Sequence, residues 1–535
     1  MAISDVAHGS GNPHFYFEPP MVPSTVHRGT FDPTLDVTVK ICEWSAARCV
    51  AEVAAFTMNS DRGSETVRVD PAEEHYLVNW HTGRFALDET RTYRIRVLAG
   101  GHELGYADVS LHRAQNTAAK KSGSGANVAL KLGATLPIKF RIELGAAPAV
   151  PDVPARERRL ISGGEDYTCA LRADGSAWCW GSNWNGQLGN GGAYRLGTSE
   201  RYYDTPQPVA GGHRFVSISA GLYHACALKA DGSAWCWGAE AAGQLGNGRD
   251  PFDGIQASPV RVLGGHSFVE LDVESTHSCG RTREGTLWCW GNNVHGELGD
   301  GSTVHRSTPV QVSGTYSSVA VGEWHTCAIG TDGITYCWGD NFAGQLGNGQ
   351  SGFRSGSIAY REVTPQPISA AFTKVEAGGV HTCALDAAGT AYCWGYNLYG
   401  ELGRGYFTNV SAPYSQPTPA AVGGSHQFSK VTLGRYHSCG LKADGSAYCW
   451  GKNEYGQLGI GTANPASPYG VASPRPVPGT WAALGAGYVH TCGITPTGAG
   501  KCWGSNGSFQ LGTGAAGHPH PTPVDISGGL TFATP

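Results

Sequence analysis

The chain of 535 residues is poor in charge, with Asp, Glu, Lys and Arg together only 15% of it, and its net charge is −5. It contains no run of Lys or Arg of the kind that neutralises a phosphate backbone, so composition argues against a nucleic-acid partner. No apolar run approaches the roughly 18–20 residues needed to cross a bilayer as a helix, so no membrane span is expected. The stretch Met1–Gly11 lacks the basic end and apolar core of a secretory leader. No isolated Ser/His/Asp set, carboxylate pair or phosphate-binding loop stands out, and no catalytic residue, cofactor or metal is expected.

What is abundant points elsewhere. The 78 glycines and 30 prolines suit short strands joined by tight turns and suit helices poorly, so the chain reads as all-β. Sixteen cysteines, an even number, indicate an oxidising compartment. The expected location is therefore secreted, periplasmic or cell-surface, with any leader absent from this sequence.

The cysteines fall in a repeat. A Cys-Trp-Gly triplet recurs at Trp180, Trp237, Trp290, Trp338, Trp394, Trp450 and Trp503, about fifty residues apart, which means a repeat architecture. Ten positions before the cysteine of each triplet stands another. The matched pairs are Cys169 with Cys179, Cys226 with Cys236, Cys279 with Cys289, Cys327 with Cys337, Cys383 with Cys393, Cys439 with Cys449 and Cys492 with Cys502. Between them lies a turn such as Ala173-Asp174-Gly175, in which Gly can adopt the left-handed conformation closing a hairpin. Counting outward from Asp174 puts Cys169 opposite Cys179. Alternation makes them a non-hydrogen-bonded pair with Cα atoms about 4.5 Å apart, compatible with a disulfide. The same disulfide is expected in all seven copies.

The second copy, with Gly221, His224, Leu228, Asp231, Gly232, Trp237, Gly238, Gly243, Gln244, Leu245, Gly246 and Gly248, resembles the regulator of chromosome condensation repeat position by position. The resemblance covers residues 158–535 and is of a cysteine-rich, bacterial type; it implies a seven-bladed β-propeller. The founding member's nucleotide-exchange activity rests on features that no motif here reproduces. Light-sensing members use tryptophan clusters, but tryptophans at equivalent positions in every copy read here as packing between blades.

Residues 1–30 show no period and read as a loose lead-in. Alternating apolar segments at 37–41, 53–58, 66–69, 76–80, 93–97, 106–111, 128–132 and 137–142 predict a small immunoglobulin-like β-sandwich over 31–144, with Cys42 and Cys49 closing a hairpin by a local disulfide. An Ala/Pro-rich linker, 145–157, leads to the propeller at 158–535. Prolines in the last segment of each repeat fit an outer edge strand. Gly528–Phe532 echoes Gly211–Phe215, so the last residues are expected to complete the first blade.

Six histidines, His224, His277, His325, His381, His437 and His490, stand two residues before a first cysteine. A His-Cys-Cys zinc site is one reading. Copy one keeps both cysteines with Tyr167 in place of the histidine, which favours a hydrogen-bonded structural role beside a disulfide.

Between the Gly-x-Leu-Gly-x-Gly turn and the outer strand, copy three has only Ser302–Ser307, whereas other copies carry insertions. These bring Tyr194, Arg195, Arg201, Tyr202 and Tyr203; Arg249 and Phe252; Phe353, Arg354, Tyr360 and Arg361; Tyr406, Phe407 and Tyr414; and Tyr469. Equivalent repeat positions emerge on one face, and this composition suits a binding surface. Asn409-Val410-Ser411 and Asn506-Gly507-Ser508 match a glycosylation sequon. The expected function is a non-catalytic extracellular or surface protein that binds a macromolecule, most simply a protein, with these loops, as an extracellular inhibitor grips its enzyme. The alternatives are a glycan-binding propeller and an intracellular nucleotide-exchange regulator.

Overall fold

The computed structural model describes residues 3–4, 15–17, 37–45, 48–58, 65–70, 74–88, 90–99, 102–112, 128–131 and 134–142 of the first part of the chain. It describes 158–193, 201–249, 254–354, 358–408, 415–515, 517 and 519–535 of the second. Two compact units result, Met1–Pro151 and Asp152–Pro535; the linker expected at 145–157 lies outside the described residues. No α-helix occurs among the described residues, and none is long and apolar enough to cross a membrane.

In the first unit the apolar alternation produces strands Val37–Ser45, Arg48–Phe56, Arg68–Asp70, His75–His81, Thr92–Ala99, His102–His112, Val128–Lys131 and Thr135–Ile142. Together with two short strands, Ile3–Ser4 and Phe15–Phe17, they form a six-stranded and a four-stranded sheet whose inward residues, among them Val39, Tyr76, Val78, Trp80, Ile95, Val109 and Ile138, make one buried cluster. The lead-in is not wholly loose. Ile3–Ser4 pairs with Tyr106 and Ala107, and Phe15–Phe17 pairs with residues 140–142. Phe17 is fully buried in the common core. Strands of two or three residues are too short for alternation to reveal them. Cys42 and Cys49 are bonded across the hairpin of the first two long strands, with Cα atoms 5.4 Å apart.

The described residues of the second unit form seven four-stranded antiparallel sheets, each in simple chain order, and a small two-stranded hairpin, Phe353–Arg354 with Ile358–Ala359. Sheet one comprises Ile161–Gly163, Tyr167–Leu171, Ala177–Ser182 and Tyr202–Pro208. Its central hairpin closes where the Arg172 N–H donates to the Ser176 carbonyl at 2.9 Å. The turn is braced by Asp174, which accepts from the Ser176 N–H and hydroxyl. The resulting register places Cys169 opposite Cys179. Their Cα atoms are 4.1 Å apart, slightly closer than the sequence predicts.

The same register and bond recur in the other six sheets. Cys226 is bonded to Cys236, Cys279 to Cys289 and Cys327 to Cys337, each with Cα atoms 4.1 Å apart. Cys383 is bonded to Cys393 and Cys439 to Cys449 at the same separation, and Cys492 to Cys502 at 4.0 Å. All seven pairs are those the ten-residue spacing predicts, and all are closer than the expected 4.5 Å. The fourth, proline-bearing strand pairs only with the third, so its missing N–H groups cost no ladder bonds.

Neighbouring sheets are joined by a repeated strap. The Trp237 indole N–H donates to the Gln187 carbonyl of the preceding sheet at 2.9 Å, and five more triplet tryptophans make the same bond to the equivalent Gln or Glu. Gly189 explains the glycine after Gln-Leu. It has φ +65°, and a Cβ there would lie 2.7 Å from the Trp237 ring. Each triplet tryptophan is fully buried, and all but Trp180 meet an aromatic residue from the segment entering their sheet, as in Phe215–Trp237, Phe268–Trp290 and Phe428–Trp450.

The ring closes where sheet seven meets sheet one. Tyr488 N–H donates to Gly164 O at 3.1 Å, and the Trp180 indole donates to Gln510 O at 2.9 Å. The expectation that the last residues complete the first blade needs a correction of detail. All four strands of sheet one lie within 161–208. The C-terminus supplies instead the aromatic strap: Phe532 packs 6.0 Å from Trp180, its N–H donates to Gly498 O, and Ala533 donates to Leu171 O. One short stretch therefore bonds to both the last sheet and the first.

Candidate binding face

Because the strands of each sheet alternate in direction, the first-to-second and third-to-fourth connections leave at the same end of every sheet. The insertions belong to the latter and so share a face with the Gly-x-x-His turns.

The buried asparagine of the Trp-Gly-x-Asn motif organises the insertions of every copy but the second, where Glu240 stands in its place and its N–H donates to Gly254 O at 3.0 Å. Asn183 accepts from the Leu188 N–H through Oδ1 and donates through Nδ2 to Gly192 O, nine residues on. Asn341, Asn397, Asn453 and Asn506 repeat the donation at the same spacing. The loops are then pinched shut at their base, for example Asn183 N–H to Arg201 O at 2.9 Å and Asn341 N–H to Tyr360 O at 2.7 Å. Asn506 is consequently buried and engaged, which removes it as a glycan acceptor; Asn409 lies outside the described residues.

The predicted contact residues divide. Tyr406, Phe407 and Tyr469 are exposed, as are Arg201 and Arg249. Arg201 lies 3.7 Å over the Trp184 ring, and the Trp184 indole donates to the Tyr202 hydroxyl. Tyr203 is half-buried against the sheet-one core. Arg361 donates to Val294 O at 2.9 Å. Tyr360 does not offer its ring: it is buried, and its hydroxyl donates to Glu362 at 2.6 Å. It is the plug at the base of its loop, where the chain must re-enter the sheet. Phe353 and Arg354 form the two-residue arm noted above, while Tyr194, Arg195, Phe252 and Tyr414 lie outside the described residues.

The Gly-x-x-His turns add residues that the sequence reading passed over: Glu165, Asp166, Tyr223, Trp324, Arg435, Tyr436 and Tyr488. The signal was present, since the two positions between Gly and His vary from copy to copy, whereas the glycine is replaced only in copy three, by Glu274, and the histidine only in copy one, by Tyr167. Arg435 pairs through two nitrogens with Glu323 at 3.0 and 2.9 Å and lies over Tyr488 at 4.9 Å, while Tyr399 meets Tyr436 edge-on at 5.5 Å. Burial raises the carboxyls of Glu165, Asp166 and Glu323 above the usual range.

Beneath this face the histidines stitch sheet to sheet. His224, His277, His325, His381, His437 and His490 each place Nε2 at 2.8–3.0 Å from a Ser or Thr hydroxyl of the next sheet. That hydroxyl donates its own hydrogen to a carbonyl, as Ser278 does to Gln244 O, so the imidazole must be the donor and its Nε2 carries the proton. Burial pushes all six down to about 3. At the remaining junction, the Tyr167 hydroxyl donates to His224 O. No metal-binding cluster is found among the described residues, and the cysteines beside these histidines are bonded to each other.

The innermost strands bring a cluster of charged residues together. Arg159 pairs with Asp272 and Glu376, at 2.8 Å each, beside a cavity of about 190 Å³ that Lys374 and Lys430 also line.

Comparison with known proteins agrees with this architecture. A family model described as the RCC1-like domain matches residues 195–534, and one for the regulator of chromosome condensation (RCC1) repeat matches 159–187. The chain belongs to the RCC1-like family. It is 30% identical to the ultraviolet-B receptor UVR8 of Arabidopsis thaliana, over 68% of this chain and 80% of the relative. The human E3 ubiquitin-protein ligase HERC2 is 28% identical over 66% of this chain, which spans only 6% of that ligase. Among solved structures, Prp20p from Saccharomyces cerevisiae superposes with a TM-score of 0.58 at 20% identity, over 70% of this chain and 88% of its own. Human WBSCR16 gives 0.54 at 21%, over 70% and 94%. These structures establish an RCC1-like propeller fold for the second unit.

Proposed function

We propose that this RCC1-like chain is a non-catalytic binding protein of an oxidising, extracellular or cell-surface setting, and that its propeller loops grip a protein partner. The observation that carries the reading is the shared face: insertions of different length and sequence, pinched at their base by a repeated asparagine or, in the second copy, by Glu240, emerge beside the variable turns between the first and second strands. A scaffold held constant in every sheet with variation confined to one end is what selection on a contact surface leaves. Protein binding among relatives supports it: the solved structures include yeast RCC1 (Prp20) bound by Kap60. Eight disulfides with no free cysteine support the oxidising setting. Where the partner is an enzyme, such a grip acts as inhibition by obstruction.

The test is to shorten the insertions of copies one, four and five to the length of copy three, leaving the pinching asparagines in place. The thermal midpoint should stay close to that of the full chain, while binding to a partner captured by the full-length protein should fall by about two orders of magnitude, as when an interface loses its aromatic anchors. Unchanged binding would move the site to the opposite face, the charged cluster of the innermost strands or the first unit.

A further inference from the structure

A second cavity, of about 350 Å³, opens on the loop face between sheets one and two, lined by Glu165, Asp166, Trp184, Asn185, Gln187 and Tyr223. No Lys or Arg among the described residues pairs with either carboxylate. Glu165 accepts a hydrogen bond from the Tyr223 hydroxyl, a neutral donor, and the cation that influences it, Arg435, is already committed to Glu323. Asp166 accepts only neutral donors: the Gln510 amide at 3.2 Å and the Ser508 hydroxyl. Two neighbouring carboxylates are thus partly desolvated without a counter-charge, at a cost that an incoming cation would offset.

The first unit shows what fills such surroundings. There Arg94 sits 4.0 Å from the Trp44 ring and 3.5 Å from the Tyr106 ring, and its fork donates to both oxygens of Asp108 at 2.6 and 2.9 Å. The cavity offers the same partners, a tryptophan, a tyrosine and carboxylates, and contains no arginine. Arg201 covers Trp184 but does not line the cavity. A planar guanidinium can stack on an aromatic ring while directing paired N–H groups at a carboxylate, which the compact ammonium of lysine cannot do.

We propose that this cavity is a recognition pocket for an arginine side chain presented by the protein partner. This rests on the reading of the loop face as protein-binding and specifies part of its chemistry.

The probe is Nα-acetyl-L-arginine methylamide, titrated calorimetrically into the full chain, with the citrulline analogue as its neutral isostere. Arginine should bind at least about tenfold more tightly than citrulline, and Glu165→Gln and Asp166→Asn should each remove most of that preference while leaving the thermal midpoint and disulfide content unchanged. Equal binding of the two probes, no binding of either, or an arginine preference untouched by both variants overturns the pocket. The loop-trimming experiment reads the other claim separately. Partner binding lost on trimming, with no arginine preference in the full chain, leaves the face standing and the pocket refuted. An arginine preference abolished by Asp166→Asn, with partner binding insensitive to trimming, supports the pocket and refutes the face.

Discussion

The two units of this protein solve the problem of a stable β-fold in opposite ways. Residues 1–151 bury one continuous cluster between two sheets, in which Trp80 meets Tyr93 and Tyr76 stacks on Phe140, and their one disulfide sits at a hairpin end. The ring has no common core. Among the described residues its apolar side chains lie in separate clusters: five small ones, each containing the cysteines of one sheet with the tryptophan of the next, and a larger one in which the junctions on both sides of sheet one merge, with Cys169, Cys179, Cys492, Cys502, Trp180, Trp237 and Phe532. A concentrated core tolerates a lost cross-link and suffers from a cavity. A distributed one depends on every junction and every cross-link, because each sheet alone has little to bury.

Reduction should separate the two most strongly. Each ring disulfide closes a loop of ten residues, for which the chain-entropy account allows about 2–3 kcal/mol. With seven affected, calorimetry in strong reductant should show the ring's transition falling by well over roughly 15 °C or vanishing, while that of the first unit moves by a few degrees. Equal shifts would break the contrast, and unreduced peptide mapping that found links between different copies, such as Cys236 to Cys279, would refute the pairing itself.

Deleting Gly528–Pro535 comes next. It removes the Phe532 ring from Trp180 and the two backbone bonds that tie sheet seven to sheet one, a loss comparable to a buried Phe→Ala change of about 3–5 kcal/mol. The ring should melt several degrees lower and the first unit at its usual temperature. An unchanged ring midpoint would show that the Trp180 and Tyr488 bonds suffice for closure.

Two smaller effects concern pH and run in opposite senses. The buried histidines titrate near 3 in the folded ring and near 6.5 when unfolded. The unfolded state thus binds the protons, and their stabilisation, complete above 6.5, is lost as pH falls toward 3. The disadvantage of His325→Gln relative to wild type should therefore shrink on acidification, by up to about 1.4 kcal/mol per pH unit below 6.5. Glu401 is the mirror case. It occupies the position held by Gln187, Gln244, Gln345, Gln457 and Gln510 in other copies, is fully buried, and is pushed up to about 8. Its folded carboxyl stays protonated where the unfolded one is ionised, so its contribution is fully present below about 4.5 and lost as pH rises toward 8. Glu401→Gln should stabilise the ring at pH 8 and give no advantage near pH 4. A pH-independent difference in either variant would contradict the assigned protonation state.

What the sequence determined by itself was everything enforced in every copy: the cysteine pairing, the turn between the cysteines, the proline-bearing outer strand and the tryptophan between neighbouring sheets. Each of these follows from local geometry repeated often enough that a chance match is excluded. The histidines were legible as structural because Tyr167 takes the place of one of them, but their hydroxyl partners lie some fifty residues away in the next sheet, and no periodicity names a contact between copies. The same limit explains Phe532, whose role depends on the two chain ends meeting, and Phe17, held by strands far along the chain. It explains Tyr360 as well. Its composition suited a contact surface, yet the hydrogen bonds at the base of its loop turned it inward. Which aromatic and charged residues face solvent, and that Glu165, Asp166, Trp184 and Tyr223 line one cavity, was decided only when the ring brought separate loops together. Exposure and juxtaposition are properties of the closed assembly, whereas strand, turn and cross-link are properties of the repeat.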